Sequence, residues 1–362
     1  MTPKWDHIKE IEIELSSRCN AACPGCKRTA MLNRGEYFSQ EDITLEQFKH
    51  MFDDYDFHDM QLKFCGVLGD PVVNPDLMEI SRYAMSKNAT LQVSTNTGLR
   101  STKWWKDYAE LSKEFDNKLE VAFAIDGLEG TNHLYRVGVV WDKVWKNFTT
   151  YVKAGGKARW NWIAFDYNAH DLEQAKQISN DLGVPFFIRK SWKNFNPWIV
   201  PKKNAKKNKI TKEYSVVTST TNPLSHPEAK KNLTFKKKLK EQLYNDMDMS
   251  NIDCKYTHWK QLFISSIKQL WPCCFLHDEL FNGTKGSPLE PIFKEYGNDW
   301  NDLTKHSIND ILEHIWYRET LVDSWKKSHN MHQPRCYKSC GDKGARHVII
   351  THENKQEVKY EK

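Results

Sequence analysis

The regular alternation of strand-like and helix-like segments in its first half most constrains how this 362-residue chain can fold. The first strand pattern has Ile11, Ile13 and Leu15 on one face and glutamates at the intervening positions. Five more strands are predicted at 60–65, 90–94, 119–125, 160–165 and 185–189. Helices are predicted between them at 45–55, 75–87, 102–113, 141–154 and 171–182. This order predicts a parallel sheet with helical crossovers, either an open doubly wound sheet or a full or partial barrel.

Loops of unusual composition follow four of the predicted strands. A cysteine-rich loop starting at Cys19 follows the first strand, residues 66–71 the second, 95–96 the third and 126–127 the fourth. In parallel α/β architectures, ligands bind at the face formed by the carboxyl ends of the strands. The four loops are therefore predicted to converge on one pocket.

The first of these loops carries three cysteines, Cys19, Cys23 and Cys26, at close spacing. A structural zinc site uses four ligands, whereas three thiolates on a four-iron cubane leave one iron open to a substrate. A zinc site would have to recruit His7 or a distant cysteine. Disulfides are disfavoured because the amino terminus has no export signal and the cytosol keeps thiols reduced. We therefore predict a 4Fe-4S cluster at this loop, with zinc as the alternative.

The Cys-x3-Cys-x2-Cys spacing directly after a first strand resembles the signature of the radical S-adenosylmethionine (radical SAM) superfamily. This resemblance implies an α/β fold of the partial (β/α)6 TIM-like barrel type. It also implies that the reduced cluster cleaves S-adenosylmethionine and that the resulting 5′-deoxyadenosyl radical abstracts a hydrogen atom from a substrate. Gly25 departs from the pattern, since relatives often have a bulky residue there beside the adenine.

The loop after the second strand is similar to the Gly-Gly-Glu-Pro segment that binds the methionine amino group in this superfamily. Glycines let the backbone approach a ligand closely, and a carboxylate and bare carbonyls accept hydrogen bonds from an ammonium group. The resemblance assigns cofactor binding to Gly66, Gly69, Asp70 and Pro71. An ordinary turn is the alternative, because Gly and Asp-Pro also form turns.

Two later segments resemble those that bind the ribose hydroxyls and the carboxylate of the cofactor. The resemblance assigns this role to Ser94, Asn96 and Asp126, while Ala124 stands where relatives often have serine. Arg136 matches an arginine that pairs with the cofactor carboxylate, a task suited to a planar bidentate donor. A surface salt bridge is the alternative for this arginine.

A second set of cysteines lies in the last third of the chain. Their pattern resembles the twitch domain, the shortened form of the SPASM extension of radical SAM enzymes, which holds an auxiliary cluster. The resemblance assigns a probable auxiliary 4Fe-4S cluster to Cys254, Cys273, Cys336 and Cys340. Cys274 is left as a neighbour, and Lys268 replaces the family glycine. Zinc is the alternative metal, with His277 or His332 as substitute ligands.

Charge and composition complete the predicted domain organisation. The positive charge is concentrated at 202–240, which contains twelve lysines and two glutamates. Because the whole chain has a net charge of +6, the rest of the chain is net acidic. The predicted domains are a radical SAM partial barrel at 1–192, a Lys-rich linker or insertion at 193–250, a twitch/SPASM-like iron-sulfur domain at 251–346 and a tail at 347–362. The Lys-rich segment is most simply a solvated linker, and a surface for an acidic partner is the minority interpretation.

The resemblance implies an enzyme of oxidoreductase-like chemistry whose auxiliary cluster exchanges electrons with a substrate radical. The implied partners are a reductant such as flavodoxin or ferredoxin and a substrate that is a peptide or small molecule. Nucleic acid is not expected as a partner, and no apolar run is long enough for a membrane span, so a cytoplasmic location is predicted. The alternatives are a zinc-binding, nucleic-acid-associated protein and a non-catalytic iron-sulfur electron carrier.

Overall fold

The computed structural model describes residues 7–53, 55–190, 198–203, 210–217, 252–281, 286–341 and 349–351. The chain divides into two compact units that interleave along the sequence. The first comprises residues 1–18, 38–93 and 248–346, and the second comprises 19–37, 94–247 and 347–362, each as far as it is described.

The strands are numbered in chain order. They are β1 Glu10–Ile13, β2 Gln61–Phe64, β3 Thr90–Thr95, β4 Leu119–Ala124, β5 Lys157–Ala164, β6 Phe186–Lys190, β7 Trp198–Lys203, β8 Ile210–Val217, β9 Gln261–Ile264, β10 Leu270–Trp271 and β11 Ile349–Thr351. The first six strands match the six predicted from the alternating pattern to within about three residues at each end, as expected for boundaries set by sequence alone.

The α-helices are numbered in the same way. They are α1 Lys27–Asn33, α2 Leu45–Phe52, α3 Leu77–Ser86, α4 Thr102–Glu114, α5 Asn132–Tyr135, α6 Trp141–Lys153, α7 Leu172–Asp181, α8 Cys274–His277, α9 Glu290–Tyr296, α10 Ile308–Glu313, α11 Leu321–Asp323 and α12 Pro334–Cys340. All five helices predicted between the strands are confirmed. Helix α1, which follows the first cysteine loop, was not predicted.

The first unit contains a sheet in the order β10-β9-β1-β2-β3. β1 pairs in parallel with β2 on one side and with β9 on the other, and β2 pairs in parallel with β3. β10 is antiparallel to β9. A strand from the last third of the chain therefore extends the sheet begun by β1, a pairing of distant segments that local periodicity does not predict.

The second unit contains β4, β5 and β6 as parallel neighbours, with β11 antiparallel to β6. β7 and β8 pair with each other as an antiparallel two-stranded sheet. These two strands are the described part of the predicted Lys-rich segment, and the rest of 193–250 lies outside the described residues. The predicted tail at 347–362 is described only at β11.

Each unit has a core rich in aromatic side chains. In the first unit the fully buried side chains Trp271, Trp316 and Tyr317 pack around the nearly buried Trp300, with neighbouring ring centroids 5.0–6.4 Å apart. Fully buried aromatic rings contribute both burial of apolar area and favourable edge-to-face contacts. Helix α10 precedes a π-helical turn over Trp316–Thr320, which carries two of these rings.

The glutamate face of β1 is not a solvent face. Glu14 is completely buried, and the side chains of Glu10 and Glu12 keep 14% and 15% of their exposure. Lys63 pairs with Glu10, and the Lys255 ammonium lies 3.5 Å from the Glu12 carboxylate. The alternating pattern is therefore confirmed, but both faces of the strand are covered, as is usual for a strand in a parallel sheet.

Candidate cofactor and metal site

The first cysteine loop lies in the second unit and leads directly into α1. A turn closed by the bond from Cys26 N–H to the Cys23 carbonyl, 3.0 Å long, brings these two cysteines together. Cys26 then precedes the first residue of the helix. Arg28, the second residue of α1, is 7% exposed and donates from its guanidinium to the Ala21 carbonyl in the loop. The helix thus stabilises the loop that precedes it through a buried guanidinium.

Asn96 lies beside Cys19. Its side-chain nitrogen is 3.4 Å from the Cys19 sulfur and 2.9 Å from the Asn20 side-chain oxygen. Its own oxygen accepts from Gly98 N–H at 2.8 Å, which fixes the direction of the amide. An N–H group aimed at sulfur stabilises a thiolate or a cluster ligand. The structure therefore links Asn96, predicted to bind ribose, to a predicted cluster ligand.

Arg136 lies beside Cys23. One guanidinium nitrogen is 3.8 Å from the Cys23 sulfur, and two others lie 2.6–2.7 Å from the same Asp126 carboxylate oxygen. Burial raises the pKa of the Cys23 thiol to about 11, while the Arg136 cation acts in the opposite direction. A fixed cation next to a buried thiol lowers the cost of forming the thiolate, the form that binds iron.

Asp126 has no exposed surface, and its polar atoms are largely engaged inside the protein. The second carboxylate oxygen accepts from Ile163 N–H at 2.6 Å. Its carbonyl accepts from the Tyr167 hydroxyl and the Asn168 amide at 3.0 and 2.9 Å. Burial raises the pKa of this carboxyl, opposed by Arg136. Asp126 therefore orients Arg136 and holds the end of β4, two functions that sequence patterns did not indicate.

The loop after β2 lies in the first unit and forms a turn. Asp70 begins a 3-10 helix over Pro71–Val73, and its carboxylate accepts from Val72 N–H at 3.0 Å. Asp70 N–H in turn donates to the Arg18 carbonyl at 2.9 Å. The turn also has a feature absent from the sequence-based prediction, because Glu14 extends beneath it and accepts from Leu68 N–H at 2.6 Å.

The four cysteines assigned to an auxiliary cluster line one cavity in the first unit. Cys273 precedes α8, while Cys336 and Cys340 are four residues apart on α12 and so lie on the same face of the helix. The cavity is lined by Cys254, Cys273, Cys336 and Cys340, and Cys274 is absent from its lining. The structure thus brings together the four thiols assigned from the resemblance.

The chemistry of this cavity fits a metal centre. Burial and the neighbouring thiols raise the pKa of the Cys273 thiol to about 12 and that of Cys340 to about 11, although the Lys255 cation opposes both shifts. Four facing thiols without a cation are therefore hard to ionise, whereas a bound metal centre would offset both burial and mutual repulsion. Lys255, which also lines the cavity, supplies a cation.

Cys274 is directed toward different partners. Burial and the Glu12 carboxylate, which also accepts a hydrogen bond from it, raise the pKa of its thiol well above the ordinary value. Burial lowers the pKa of Lys255, but Glu12 and the neighbouring thiols together raise it. Glu12 and Lys255 were not identified from the sequence. The available signals were that Glu12 lies in the first predicted strand and that Lys255 directly follows Cys254.

Lys268 adopts a backbone conformation that favours glycine. It lies in the turn between β9 and β10 with φ of +62°, a left-handed conformation in which glycine is unstrained. Its N–H closes the turn on the Ser265 carbonyl at 2.8 Å, and its ammonium pairs with Glu41. Lys268 thus combines a left-handed turn position with an ion pair to a distant segment.

The remaining predicted residues are placed as follows. Ser94 lies half-buried in β3. His277 is 1% exposed among Phe263, Trp271 and Phe281, and burial lowers its pKa to about 3. Neither His277 nor His332 lines the four-cysteine cavity.

Among the described residues, no group of three or more His, Cys, Asp or Glu side chains is arranged to hold a single metal ion. A cubane does not require such a group, because each thiolate binds a different iron. No helix in the described ranges is long and apolar enough to cross a membrane.

Comparison with proteins of known sequence found a curated relative of limited extent. A tungsten-containing aldehyde ferredoxin oxidoreductase cofactor-modifying protein from Pyrococcus furiosus is 26% identical over 134 residues, or 36% of this chain. The match spans about a third, 34%, of that protein's length. No protein-family model matches the chain.

Solved structures resemble the chain over most of its length. Streptococcus suis SuiB bound to S-adenosylmethionine matches 90% of this chain and 71% of its own, with a TM-score of 0.53 and 11% identity. Native anSMEcpe with bound AdoMet matches 91% and 89%, with a TM-score of 0.52 and 15% identity. SuiB bound to the precursor peptide SuiA matches 87% and 65%, with a TM-score of 0.51 and 14% identity. These likenesses confirm the predicted α/β fold of the partial-barrel type.

Proposed function

We propose that this protein is a radical SAM enzyme that binds a 4Fe-4S cluster through Cys19, Cys23 and Cys26. The observation that carries the proposal is the environment of the cysteine loop. Two of its sulfur atoms are contacted by N–H donors, from Asn96 at 3.4 Å and from Arg136 at 3.8 Å. The loop thus offers three thiols in surroundings that stabilise thiolates, and three thiolates are the number that leaves one iron of a cubane open to a ligand.

The fold supports the same function. The solved structures that resemble the chain include two proteins with S-adenosylmethionine bound. When bound, the reduced cluster would supply one electron to cleave S-adenosylmethionine, yielding methionine and a 5′-deoxyadenosyl radical. The three cysteines would supply the thiolates that bind the cluster. Residues 66–71 would bind the amino acid part of the cofactor, and the surrounding protein would exclude water. The ion pair of Arg136 with Asp126 would keep the guanidinium beside Cys23 throughout.

We infer a second cluster at Cys254, Cys273, Cys336 and Cys340, exchanging electrons with the substrate radical. Support comes from the shared cavity and the resemblance to twitch domains. Zinc is the competing occupant, and iron and zinc analysis of anaerobically purified protein separates the two. A zinc-binding, nucleic-acid-associated protein would contain zinc and bind nucleic acid with strong salt dependence.

The substrate class follows from the relatives only as a proposal. SuiB is seen with a precursor peptide, which supports a peptide substrate for this chain. The Pyrococcus protein is named for modifying a cofactor, which supports a small molecule instead. Incubation with candidate peptides from neighbouring genes, analysed by mass spectrometry, separates these two classes. A reductant such as flavodoxin or ferredoxin would supply the electron.

The decisive experiment is anaerobic cluster reconstitution followed by incubation with dithionite and S-adenosylmethionine. We expect 5′-deoxyadenosine and methionine from the wild-type protein and none from Cys23→Ala. Cys65→Ala is the matched control, because Cys65 lies outside both cysteine sets, and it should retain cleavage. A wild-type protein with an intact cluster and no 5′-deoxyadenosine would refute the proposal, and leave an electron carrier as the better interpretation.

A further inference from the structure

Glu14 is a completely buried carboxylate beneath the loop that follows β2. One of its oxygens accepts from Leu68 N–H at 2.6 Å and from Gly69 N–H at 3.3 Å. The other oxygen lies 3.3 Å from the Ser266 hydroxyl. Because a buried carboxylate is costly unless it is well hydrogen-bonded, so complete a set of donors indicates a carboxylate with a defined task.

Because a peptide unit is planar, these contacts also fix the direction of the carbonyl groups that share a unit with the bound N–H groups. In a trans peptide the C=O and N–H of one unit point in opposite directions. The Leu68 N–H shares its unit with the Val67 carbonyl, and the Gly69 N–H shares its unit with the Leu68 carbonyl. Both carbonyls are therefore turned away from Glu14, and their partner amides are polarised by the carboxylate, which strengthens them as acceptors.

The two glycines make this close approach possible. A β-carbon on Gly66 would lie 2.9 Å from the Glu14 carboxylate and 2.8 Å from the Gly69 carbonyl oxygen. A β-carbon on Gly69 would lie 1.7 Å from the Ser16 carbonyl oxygen. The loop thus packs directly on the segment that follows β1, and Asp70 fixes its far end through Arg18.

We propose that Glu14 is a positioning residue that orients the Val67 and Leu68 carbonyl groups toward the α-ammonium group of S-adenosylmethionine. This inference rests on the proposed function. The loop resembles an ammonium-binding segment, and the inference gives the buried Glu14 carboxylate beneath it a role. One oxygen of the other nearby carboxylate, Asp70, is used differently, because it accepts from Val72 N–H at the start of the 3-10 helix. Glu14 acts through the backbone and is not itself placed against the ligand.

The test compares two ligands that differ in the amino acid part. S-adenosylhomocysteine has the α-ammonium group, and 5′-methylthioadenosine lacks it. For the cluster-loaded protein, Glu14→Ala should weaken S-adenosylhomocysteine binding by at least about tenfold, the loss of one hydrogen bond to a charged group. Its affinity for 5′-methylthioadenosine should stay within about twofold, since that ligand makes no use of the oriented carbonyls.

Conservative variants keep the test decisive. Glu14→Gln retains an oxygen that can accept from both amides, and it should restore most of the lost affinity. Glu14→Asp is one methylene shorter and should show the same selective loss as Glu14→Ala, which covers the case in which the alanine variant does not fold.

The outcomes also separate this inference from the proposed function. Equal affinities in wild type, Glu14→Ala and Glu14→Asp would overturn the positioning role, as would a parallel loss for both ligands. A wild-type protein that bound neither ligand and did not cleave S-adenosylmethionine would instead overturn the proposed function.

Discussion

The ion pair between Arg136 and Asp126 shows how a single buried contact can serve a metal site. Asp126 has no exposed surface, and the Arg136 side chain keeps 16% of its exposure. The resemblance predicted two independent contacts to a cofactor, one from each residue. The structure shows them as partners in one ion pair, which places a cation beside the Cys23 sulfur. That pairing follows from the loop after β4, which no local pattern describes.

Arg136→Met should destabilise the protein strongly, because it removes the ion-pair partner of the buried Asp126 carboxylate. The expected cost is about 3–5 kcal/mol. Urea unfolding followed by tryptophan fluorescence measures it. Arg318→Met is the matched control, since Arg318 is half exposed and forms a weak ion pair with Glu313 at 4.0 Å. Its loss should cost less than about 1 kcal/mol. Equal effects of the two substitutions would contradict the buried pairing, whereas Asp126→Asn combined with Arg136→Met should recover part of the loss.

Glu14 predicts a pH dependence of stability. Burial raises the pKa of its carboxyl above the ordinary value, while the amides of Leu68 and Gly69 oppose the shift. The folded protein therefore binds this proton more tightly than the unfolded chain, so the associated stability is present at low pH and is lost as the pH rises through the raised pKa. Glu14→Gln lacks this loss.

Measured by urea unfolding at pH 5 and pH 8, Glu14→Gln should gain stability relative to wild type as the pH rises. Burial raises the pKa of the neighbouring Cys65 thiol well above its ordinary value, so this group does not titrate between pH 5 and pH 8. A wild-type protein that gained stability relative to Glu14→Gln over this interval would show that the carboxyl is not destabilised by burial.

The turn after β2 and the turn before β6 require glycine for different reasons. Gly69 is required for space, because a β-carbon there would lie 1.7 Å from the Ser16 carbonyl oxygen, in a segment far away in sequence. By contrast, Gly183 has φ of +64°, and no atom lies within 4 Å of the place that a β-carbon would occupy there. The first glycine is needed for space and the second for backbone conformation.

Gly69→Ala should therefore cost about 3 kcal/mol or more, because the clash is with backbone that cannot move independently of β1. Gly183→Ala is the control and should cost only about 1 kcal/mol of left-handed strain. Thermal unfolding of both variants measures the difference. If Gly69→Ala proved as mild as Gly183→Ala, the turn would not be in contact with the segment after β1.

At the scale of the whole molecule, the two cysteine sets belong to different compact units. Cys19, Cys23 and Cys26 lie in the second unit, and the four-cysteine cavity lies in the first. Each set has its own surroundings, with Arg136 beside the first and Lys255 beside the second. The sets should therefore bind metal independently.

Iron content tests this independence. We expect Cys23→Ala and Cys336→Ala each to lose part of the iron of the reconstituted wild type, and the double variant to lose nearly all of it. Cys336→Ala should still form 5′-deoxyadenosine, because the proposed cleavage site is in the other set. Loss of all iron from either single variant would contradict independent sites, and Cys274→Ala, outside the four-cysteine cavity, is the control that should keep full iron.

The alternating strand and helix segments and both cysteine spacings were readable from the sequence, because periodicity and ligand spacing are local properties of the chain. Tertiary structure alone decided that β9 pairs with β1, that Glu14 lies buried beneath the 66–69 turn and that Arg136 pairs with Asp126 next to Cys23. These contacts join residues distant in sequence, and they depend on which face of a strand is covered and by what. A single sequence specifies the type of each element, but burial and charge pairing exist only once the elements have packed.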